Sequence, residues 1–279
     1  MNICLIGDGL ISLTLAKALI NNKIKVFLYC KNNKKTSSDN RTIGITSNNL
    51  DFFQKEIINI KKDLFWKIKQ IEIYNEQNKK EKILNFEETK RTLFSIIKNN
   101  DLFYLLSRNL ENSNNFKKII IKNKSFYKKI IKNKKYDLII NCDGTNQISK
   151  KYFYRKILKN YESKAYISII NHKRVQNKKA IQIFTKHGPV AFLPISKNQT
   201  SIVYSIKNTS INKKLELSQK EFEKLISTNN KLYEINSINK FETFILKSKT
   251  LRNYYNNNIL AFGDMLHQIH PLSGQGFNM

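Results

Sequence analysis

Short apolar runs followed by glycine mark the beginning of the chain. Residues 3–6 are apolar and lead into a Gly-Asp-Gly turn at 7–9, after which residues 10–20 are apolar and rich in Leu and Ala. The first run suits a buried strand and the longer stretch suits a buried helix. A second strand is predicted for residues 24–29. This order of strand, glycine turn, helix and strand is typical of the first unit of a dinucleotide-binding fold.

Two later apolar runs end at an acidic residue beside a glycine. One run leads directly into Asp143-Gly144, and the other leads into Gly263-Asp264. Each run predicts a buried strand, and an acid that follows such a strand is well placed to bond the hydroxyl groups of a ligand. For Gly263-Asp264 taken alone, a turn closed by an Asx hydrogen bond is an equally good interpretation.

The rest of the pattern predicts a second unit that is interleaved with the first. Residues 68–86 alternate between apolar and polar positions, as in a β-hairpin, and several strand-like runs with one helical stretch follow between 161 and 246. We therefore expect an α/β fold in which a Rossmann-like, dinucleotide-binding domain is interleaved with a mixed-sheet α+β substrate domain. The expected boundaries are 1–67, 93–158 and 255–279 for the dinucleotide-binding domain, and 68–92 and 159–254 for the substrate domain.

The formal net charge of +29, from 50 Lys and Arg against 21 Asp and Glu residues, changes this picture little. Lysines greatly outnumber arginines and are spread among asparagines and isoleucines. A nucleic-acid site would instead favour arginines with aromatic residues on one face. We therefore expect no nucleic-acid partner, although the excess charge is able to hold the protein loosely on an anionic bilayer.

Cysteine usage and apolar segments indicate the compartment. Cys4, Cys30 and Cys142 lie far apart, each inside or at the end of an apolar run, which is the pattern of buried thiols under reducing conditions. It does not suit a disulfide framework or a zinc site. The first residues lack the basic region and the long apolar stretch of a signal peptide. The expected location is the cytoplasm, with at most peripheral contact with the inner membrane.

The first glycine turn has a specific chemical use. In the pattern Gly7-x-Gly9-x-x-Ser12, the absence of side chains lets a pyrophosphate approach backbone N–H groups at the positive end of a helix dipole. Ser12 departs from the usual third glycine but is small enough for close helix–strand packing. An ordinary strand-to-helix turn is the alternative. The acid that would bond the adenosine ribose is expected near Cys30, and no carboxylate stands there.

Four segments in a fixed order resemble the class A flavin monooxygenases. They are residues 39–45, with the sequence DNRTIGI, residues 137–146, DLIINCDGTN, residues 187–194, HGPVAFLP, and residues 263–278, GDMLHQIHPLSGQGFN. Within that class they are most similar to the hydroxylases of ubiquinone biosynthesis. The resemblance covers essentially the whole chain, and the last segment is the most specific. It implies an FAD/NAD(P)-binding domain as the Rossmann-like part of the fold.

The resemblance also implies roles for individual residues. Asp264 would bond the ribityl chain of FAD, Asp143-Gly144 would serve the pyrophosphate and the path of NADH or NADPH, and Arg41 would lie near the flavin or its phosphates. Pro271 and the glycines after it would let the backbone lie against the isoalloxazine ring. The expected cofactor-binding residues are Gly7, Gly9, Ser12, Arg41, Asp143, Gly144, Gly263, Asp264, Pro271, Gly274, Gln275, Gly276 and Asn278.

The histidines do not predict a metal site. His267 and His270 are three positions apart, but no third ligand of suitable spacing is visible. His187 is expected to begin a strand that faces the substrate cavity, with simple packing as the alternative, and Pro271 is a second candidate for lining the cavity. No catalytic side chain is expected, because in this family the flavin carries the chemistry.

We therefore interpret the chain as an enzyme that uses NAD(P)H and O₂ to hydroxylate the aromatic ring of a polyprenyl phenol or quinone precursor. Its expected partners are this substrate and either a membrane surface or a ubiquinone-biosynthesis complex. Two departures weigh against full activity: Asn100 stands where the family often has an arginine, and family members continue well beyond the position of Met279, so we expect a C-terminally truncated chain. The alternatives are an FAD- or NAD-dependent dehydrogenase without oxygen chemistry and an inactive relative that acts as a partner protein.

Overall fold

The computed structural model describes residues 1–31, 40–76, 82–89, 91–123, 125–207, 217–230, 232–268 and 278. The helices are α1 (Leu10–Asn21), α2 (Ser47–Phe52), α3 (Asn99–Glu111), α4 (Ser125–Lys132), α5 (Gln147–Tyr152) and α6 (Gln219–Asn229). The strands are β1 (Asn2–Ile6), β2 (Lys25–Lys31), β3 (Thr42–Thr46), β4 (Phe65–Ile68), β5 (Gln70–Asn75), β6 (Lys82–Glu87), β7 (Phe94–Lys98), β8 (Phe116–Ile121), β9 (Leu138–Asn141), β10 (Lys156–His172), β11 (Lys179–Thr185), β12 (Gly188–Pro194), β13 (Gln199–Lys207), β14 (Ile235–Ile238), β15 (Glu242–Leu251), β16 (Tyr255–Asn256), β17 (Ile259–Ala261) and β18 (His267–Gln268). Short helical turns lie at Phe53–Ile57, Lys62–Leu64 and Gly263–Met265.

A six-stranded sheet in the order β16-β17-β9-β1-β2-β8 forms the Rossmann-like part. Its pairs are parallel except for β16 with β17. The central strand β1 is buried on both faces, with Cys4 and Leu5 fully buried, which explains why its sequence is a continuous apolar run. Leu13 and Ala16 of α1 and Leu102 of α3 belong to the same core. The apolar runs that the sequence assigned to β1, β2, β9 and β17 are confirmed as strands of this sheet.

A nine-stranded, mostly antiparallel sheet forms the second part of the fold. Its order is β18-β15-β10-β13-β12-β11-β5-β6, with β14 paired to β10 and a single parallel pair between β11 and β5. Helix α6 begins at a capping box, in which Ser218 and Glu221 bond each other's backbone N–H groups. Its residue Phe222 packs with Tyr166 and Tyr204 on one face of the sheet. The predicted hairpin is present as β5 and β6, and its turn at 77–81 lies outside the described residues.

A three-stranded antiparallel sheet, β3-β7-β4, joins the two larger sheets. Trp66 and Ile96 of this small sheet pack against Ala180 and Leu193 of the nine-stranded sheet. The hydroxyl of Thr42 also donates to Ser201 Oγ at 3.1 Å. One face of the nine-stranded sheet is therefore partly covered by β3-β7-β4, and the opposite face is covered by α6.

The expected division into two domains stays a prediction. The six-stranded sheet takes its strands from 2–31, 116–141 and 255–261, which is the interleaving that the sequence suggested. However, β10 already begins at Lys156, and β18 pairs with β15 in the nine-stranded sheet.

Other expectations concern cysteines, metals and membranes. All three cysteines are free. Within the part of the chain that the structure describes, there is no cluster of His, Cys, Asp and Glu residues that could hold a metal ion. No helix among the described residues is both long and apolar enough to span a bilayer.

Candidate functional site

Three turns meet at one edge of the six-stranded sheet. They follow β1, β9 and β17, which are neighbouring parallel strands, so their carboxyl ends point to the same side. Gly7 has a φ of +112°, and a Cβ at this position would lie 3.4 Å from the backbone nitrogen of Asp143. The turn after β1 therefore needs a glycine for its backbone conformation, and it lies in contact with the turn after β9.

The N-terminus of α1 opens into the space between these turns. Gly9 is the N-cap residue and makes no side-chain capping bond, and a Cβ at this position would meet nothing within 4 Å. The first turn of α1 also contains no acidic residue. The N-cap residue therefore gives these N–H groups no capping side chain, and the space beside Gly9 is open, which is the arrangement that binds phosphate at helix N-termini.

The third turn is held against α1 by close packing. Gly263 has a φ of +63°, and a Cβ here would lie 2.6 Å from Cγ2 of Ile11 in the first turn of α1. This contact brings the neighbouring Asp264, which is exposed, next to the helix N-terminus. Only glycine allows this approach without moving Ile11, so the Gly-Asp order in the sequence has a steric reason.

Cys142 directly follows β9 and lies close to these turns. Its thiol bonds to the hydroxyl of the buried Ser12, and the negative charges of Asp264 and Asp143 are near enough to affect its pKa. Burial raises the pKa of Cys142 to about 11, with the two carboxylates adding to the effect and the Ser12 bond opposing it. Cys142 is thus a packing residue that stays protonated and does not serve as a nucleophile.

Asp143 is fixed in place by a set of hydrogen bonds. Its Oδ2 atom accepts from Lys31 Nζ at 3.0 Å, and its Oδ1 atom accepts from Thr145 N at 2.8 Å and Thr145 Oγ1 at 2.6 Å. Burial by itself raises the pKa of Asp143, but the bonds from Thr145 and Lys31 outweigh burial and hold the pKa below its ordinary value. Asp143 is therefore a charged, oriented carboxylate at the edge of the cleft.

We predict that this ion pair stabilises the fold only when Asp143 is ionised. Because the folded-state pKa of Asp143 is lowered, its contribution is present above the unfolded pKa and is lost as the pH falls through the folded-state pKa, below about 4. Lys31→Met should lower the unfolding temperature at neutral pH, and the difference from the wild type should shrink below about pH 4. Thermal unfolding between neutral and acidic pH measures this. A difference that is the same at all pH values would contradict the assignment, and Lys67→Met, at an exposed lysine, is the control.

Lys31 was missed by sequence reasoning. The sequence pattern showed that the ribose-binding acid is lacking near Cys30, and the structure places Lys31 as the last residue of β2, at the same edge as the three turns. Asp8, in the first glycine turn, has its pKa raised by burial, against the opposing effects of its own backbone, Lys118 and Lys31. This part of the sheet edge therefore carries charges of both signs, from Asp8, Asp143 and Lys31.

Several predicted site residues lie elsewhere or outside the described residues. Arg41 is exposed just before β3, and its carbonyl accepts from Asn99 N at 2.9 Å. Asn278 bonds to β3, since its Nδ2 donates to Gly44 O at 2.8 Å and its Oδ1 accepts from Thr46 N at 3.1 Å. Outside the described residues lie His270, Pro271, Gly274, Gln275 and Gly276.

The two described histidines of the predicted segments have packing or surface positions. His187 lies in the turn between β11 and β12. Strand β12 begins at Gly188, one position later than expected. Gly188 has a φ of +137° and lies against β13, where a Cβ would be 2.1 Å from Ser205 O. His267 is exposed, and its Nδ1 atom lies 2.9 Å from Thr250 Oγ1.

The family model described as FAD binding domain matches residues 9–279, so the chain belongs to this family. Ubiquinone hydroxylase UbiL of Rhodospirillum rubrum is 23% identical over 144 residues, which cover 50% of this chain and 34% of that protein. The ubiquinone biosynthesis monooxygenase COQ6 of Caenorhabditis elegans is 25% identical over 182 residues, which cover 51% of this chain and 40% of that protein. The chain therefore matches well under half the length of these relatives.

Solved structures show the same fold at low identity. The p-nitrophenol 4-monooxygenase PnpA of Pseudomonas putida has a TM-score of 0.74 at 10% identity, covering 99% of this chain and 75% of that one. A variant of HpxO from Klebsiella pneumoniae in complex with FAD has a TM-score of 0.74 at 12% identity, covering 99% of this chain and 77% of that one. These likenesses confirm the predicted fold class.

Proposed function

We propose that the protein is an FAD-dependent monooxygenase that hydroxylates the aromatic ring of a polyprenyl phenol or quinone precursor in ubiquinone biosynthesis, with NADH or NADPH and O₂ as co-substrates. The observation that carries this proposal is the meeting of three turns, with the exposed Asp264, beside the uncapped N-terminus of α1. The family of the chain and the names of its matched relatives support the cofactor and the class of substrate.

The described residues fit the nucleotide part of FAD. A diphosphate needs backbone N–H groups and room to approach them, and both are present at Gly9. The ribityl chain needs hydroxyl acceptors, and Asp264 offers an exposed carboxylate at the same edge. When bound, FAD supplies the hydride and oxygen chemistry. The part of this chain is to bind the diphosphate, orient the ring system and exclude water from it.

The face of the nine-stranded sheet opposite α6 is suited to an aromatic substrate. One row of directly paired positions crosses five strands of the sheet, and all of its members are half-buried. The row consists of Ile73, Gln182, Ala191, Val203 and Ile167. It is mostly apolar and flat, because neighbouring side chains in register point to the same face. A planar ring with a polar substituent can lie on such a row, with Gln182 available for one hydrogen bond.

The segment around Arg41 is held against the end of this apolar row. The buried Asn40 donates to Lys240 O at 2.8 Å and to Glu242 Oε1 at 3.3 Å, and Glu242 pairs with Ile167 at the end of the apolar row. The exposed Arg41 is thus held at the junction between the small sheet and the substrate face. We infer that it meets the flavin or its phosphates there, as the resemblance implies.

We further propose that the protein works at the cytoplasmic surface of an inner membrane. A polyprenyl tail is strongly apolar, and a hydroxylase that leaves the tail in lipid has to hold only the ring. The net charge of +29 favours contact with anionic lipid, where each well-placed lysine contributes about 1 kcal/mol.

The purified chain tests this proposal. It should show the absorption bands of bound oxidised flavin, and with NADPH, O₂ and a prenylated phenol it should form a product heavier by one oxygen atom. Val203→Asp places a charge on the substrate face and should raise the KM for the phenol at least about tenfold, with flavin binding unchanged. Thr243→Asp, at an exposed position on β15, is the matched control. Oxidation of NADPH with neither O₂ consumption nor a hydroxylated product would instead indicate a dehydrogenase, and a colourless folded protein would contradict the proposal.

A further inference from the structure

A lysine from the nine-stranded sheet reaches the edge of the six-stranded sheet at which the three turns meet. Lys249 lies on β15, and a Cβ on Gly144 would be 3.1 Å from its Nζ atom. The amino group therefore occupies the space that a side chain at the Asp143-Gly144 turn would fill. It is close enough to Asp143 and Asp264 for both carboxylates to affect its ionisation. Gly144 therefore leaves room for the amino group of a lysine from a distant part of the chain.

Among the described residues, no acidic side chain forms a direct ion pair with Lys249. Its side chain is half-buried, and none of the ion pairs between described residues includes it. Burial, with the nearby charge of Lys156, lowers the pKa of Lys249 against the opposing effect of Asp264 and Asp143. Asp143 is already bonded to Lys31 and Thr145. A partly desolvated ammonium group is costly unless an anion or several acceptors contact it.

We propose that Lys249 binds the diphosphate group of a bound dinucleotide at the Asp143-Gly144 turn. The ammonium group of lysine is a point charge that binds phosphate oxygens well, and here it lies against the Asp143-Gly144 turn. The Asp143-Gly144 turn also contacts the glycine turn before α1, so the helix N-terminus and the lysine both contribute positive potential at this sheet edge. This inference rests on the proposed function, since it assumes that a dinucleotide binds at this edge.

Two dinucleotides carry this chemistry in the proposed reaction, and the experiment separates them. The dissociation constants of FAD, and of NADPH for the flavin-loaded protein, are measured for the wild type, Lys249→Gln and Lys249→Arg. Riboflavin has the same ring system without phosphate, so its binding reports contacts to the ring alone. Lys247→Gln, an exposed lysine two positions away on the same strand, is the matched control for loss of charge. Thermal unfolding of each protein without nucleotide reports any structural effect.

Lys249→Gln should weaken the binding of either FAD or NADPH by at least about tenfold, with riboflavin binding and the Lys247→Gln control unchanged. Lys249→Arg should retain most of the affinity, and the loss in Lys249→Gln should become smaller at high salt. The nucleotide that loses affinity identifies the diphosphate.

A lysine that merely balances Asp143 and Asp264 would give another result. Lys249→Gln would then lower the unfolding temperature of the nucleotide-free protein and leave both nucleotide affinities unchanged, which would overturn the inference. If the wild type retains no flavin, the proposed function fails. The role of Lys249 is then tested by measuring the binding of NADPH to the flavin-free protein. Equal NADPH affinity in the wild type and in Lys249→Gln would overturn it in that case too.

Discussion

Asp264→Ala should lower the affinity of the protein for FAD by about tenfold to a hundredfold, with the fold retained. The carboxylate is exposed at the site edge, and the packing of Gly263 on Ile11 fixes its backbone beside α1. Hydrogen bonds to a charged group contribute about 1.5–3 kcal/mol, and the loss of such bonds to the ligand gives this range. Titration of the protein with FAD, followed by the quenching of flavin fluorescence, measures the change.

Two further variants make this result specific. Asp63→Ala removes an exposed carboxylate from the short helical turn Lys62–Leu64, and it should leave the affinity for FAD unchanged. Asp264→Asn keeps one acceptor oxygen and should lose less affinity than the alanine variant. Equal affinity in the wild type and in Asp264→Ala would show that the ribityl contact has been assigned to the wrong residue.

Gly9→Ser should separate stability from ligand binding, because the two properties should change in opposite directions. Gly9 has a φ of −72° and a ψ of 168°, which is the extended conformation that serine adopts as an N-cap. The Cβ of a residue at this position meets no neighbour within 4 Å, so a serine fits there and its hydroxyl can bond the N–H groups of the first turn of α1. Unfolding free energy should therefore stay the same or rise by less than about 1 kcal/mol. FAD affinity should fall at least about tenfold, since the serine occupies both the space and the N–H groups that the diphosphate needs.

The measurements for this variant are thermal unfolding without nucleotide and the same FAD titration. Asn22→Ser, beyond the other end of α1, is the control for a serine that cannot compete with an anion. Full affinity for FAD in Gly9→Ser would mean that the diphosphate does not bind at this helix. That result would contradict the proposed location of the nucleotide site.

Local features of the fold could be predicted from the sequence, and pairings between distant segments could not. Continuous apolar runs identified β1 and β9, because strands buried on both faces carry apolar residues at every position. The sheet β3-β7-β4 was not predicted, although it joins the two larger sheets. Its strands are short, and the pairing of β3 with β7 brings Thr42 opposite Lys98 across a long stretch of chain, which no local pattern signals.

The candidate site shows the same distinction. Gly7, Asp143 and Asp264 could be selected from the sequence, since each lies next to an apolar run and the order of the segments resembles one family. Lys31 and Lys249 could not, because lysines occur throughout this chain and their spacing carries no signal. Their importance follows only from what their amino groups contact at the sheet edge.

The sequence by itself therefore determined which segments are buried strands, where glycine turns interrupt them and which family the motifs resemble. Those properties follow from burial and backbone conformation within a few residues. Only the tertiary structure decided that the three turns meet, that α1 faces them without a capping side chain and that Lys249 approaches from another sheet. Strand order and register set these distances, and both arise from contacts between residues that are far apart in the chain.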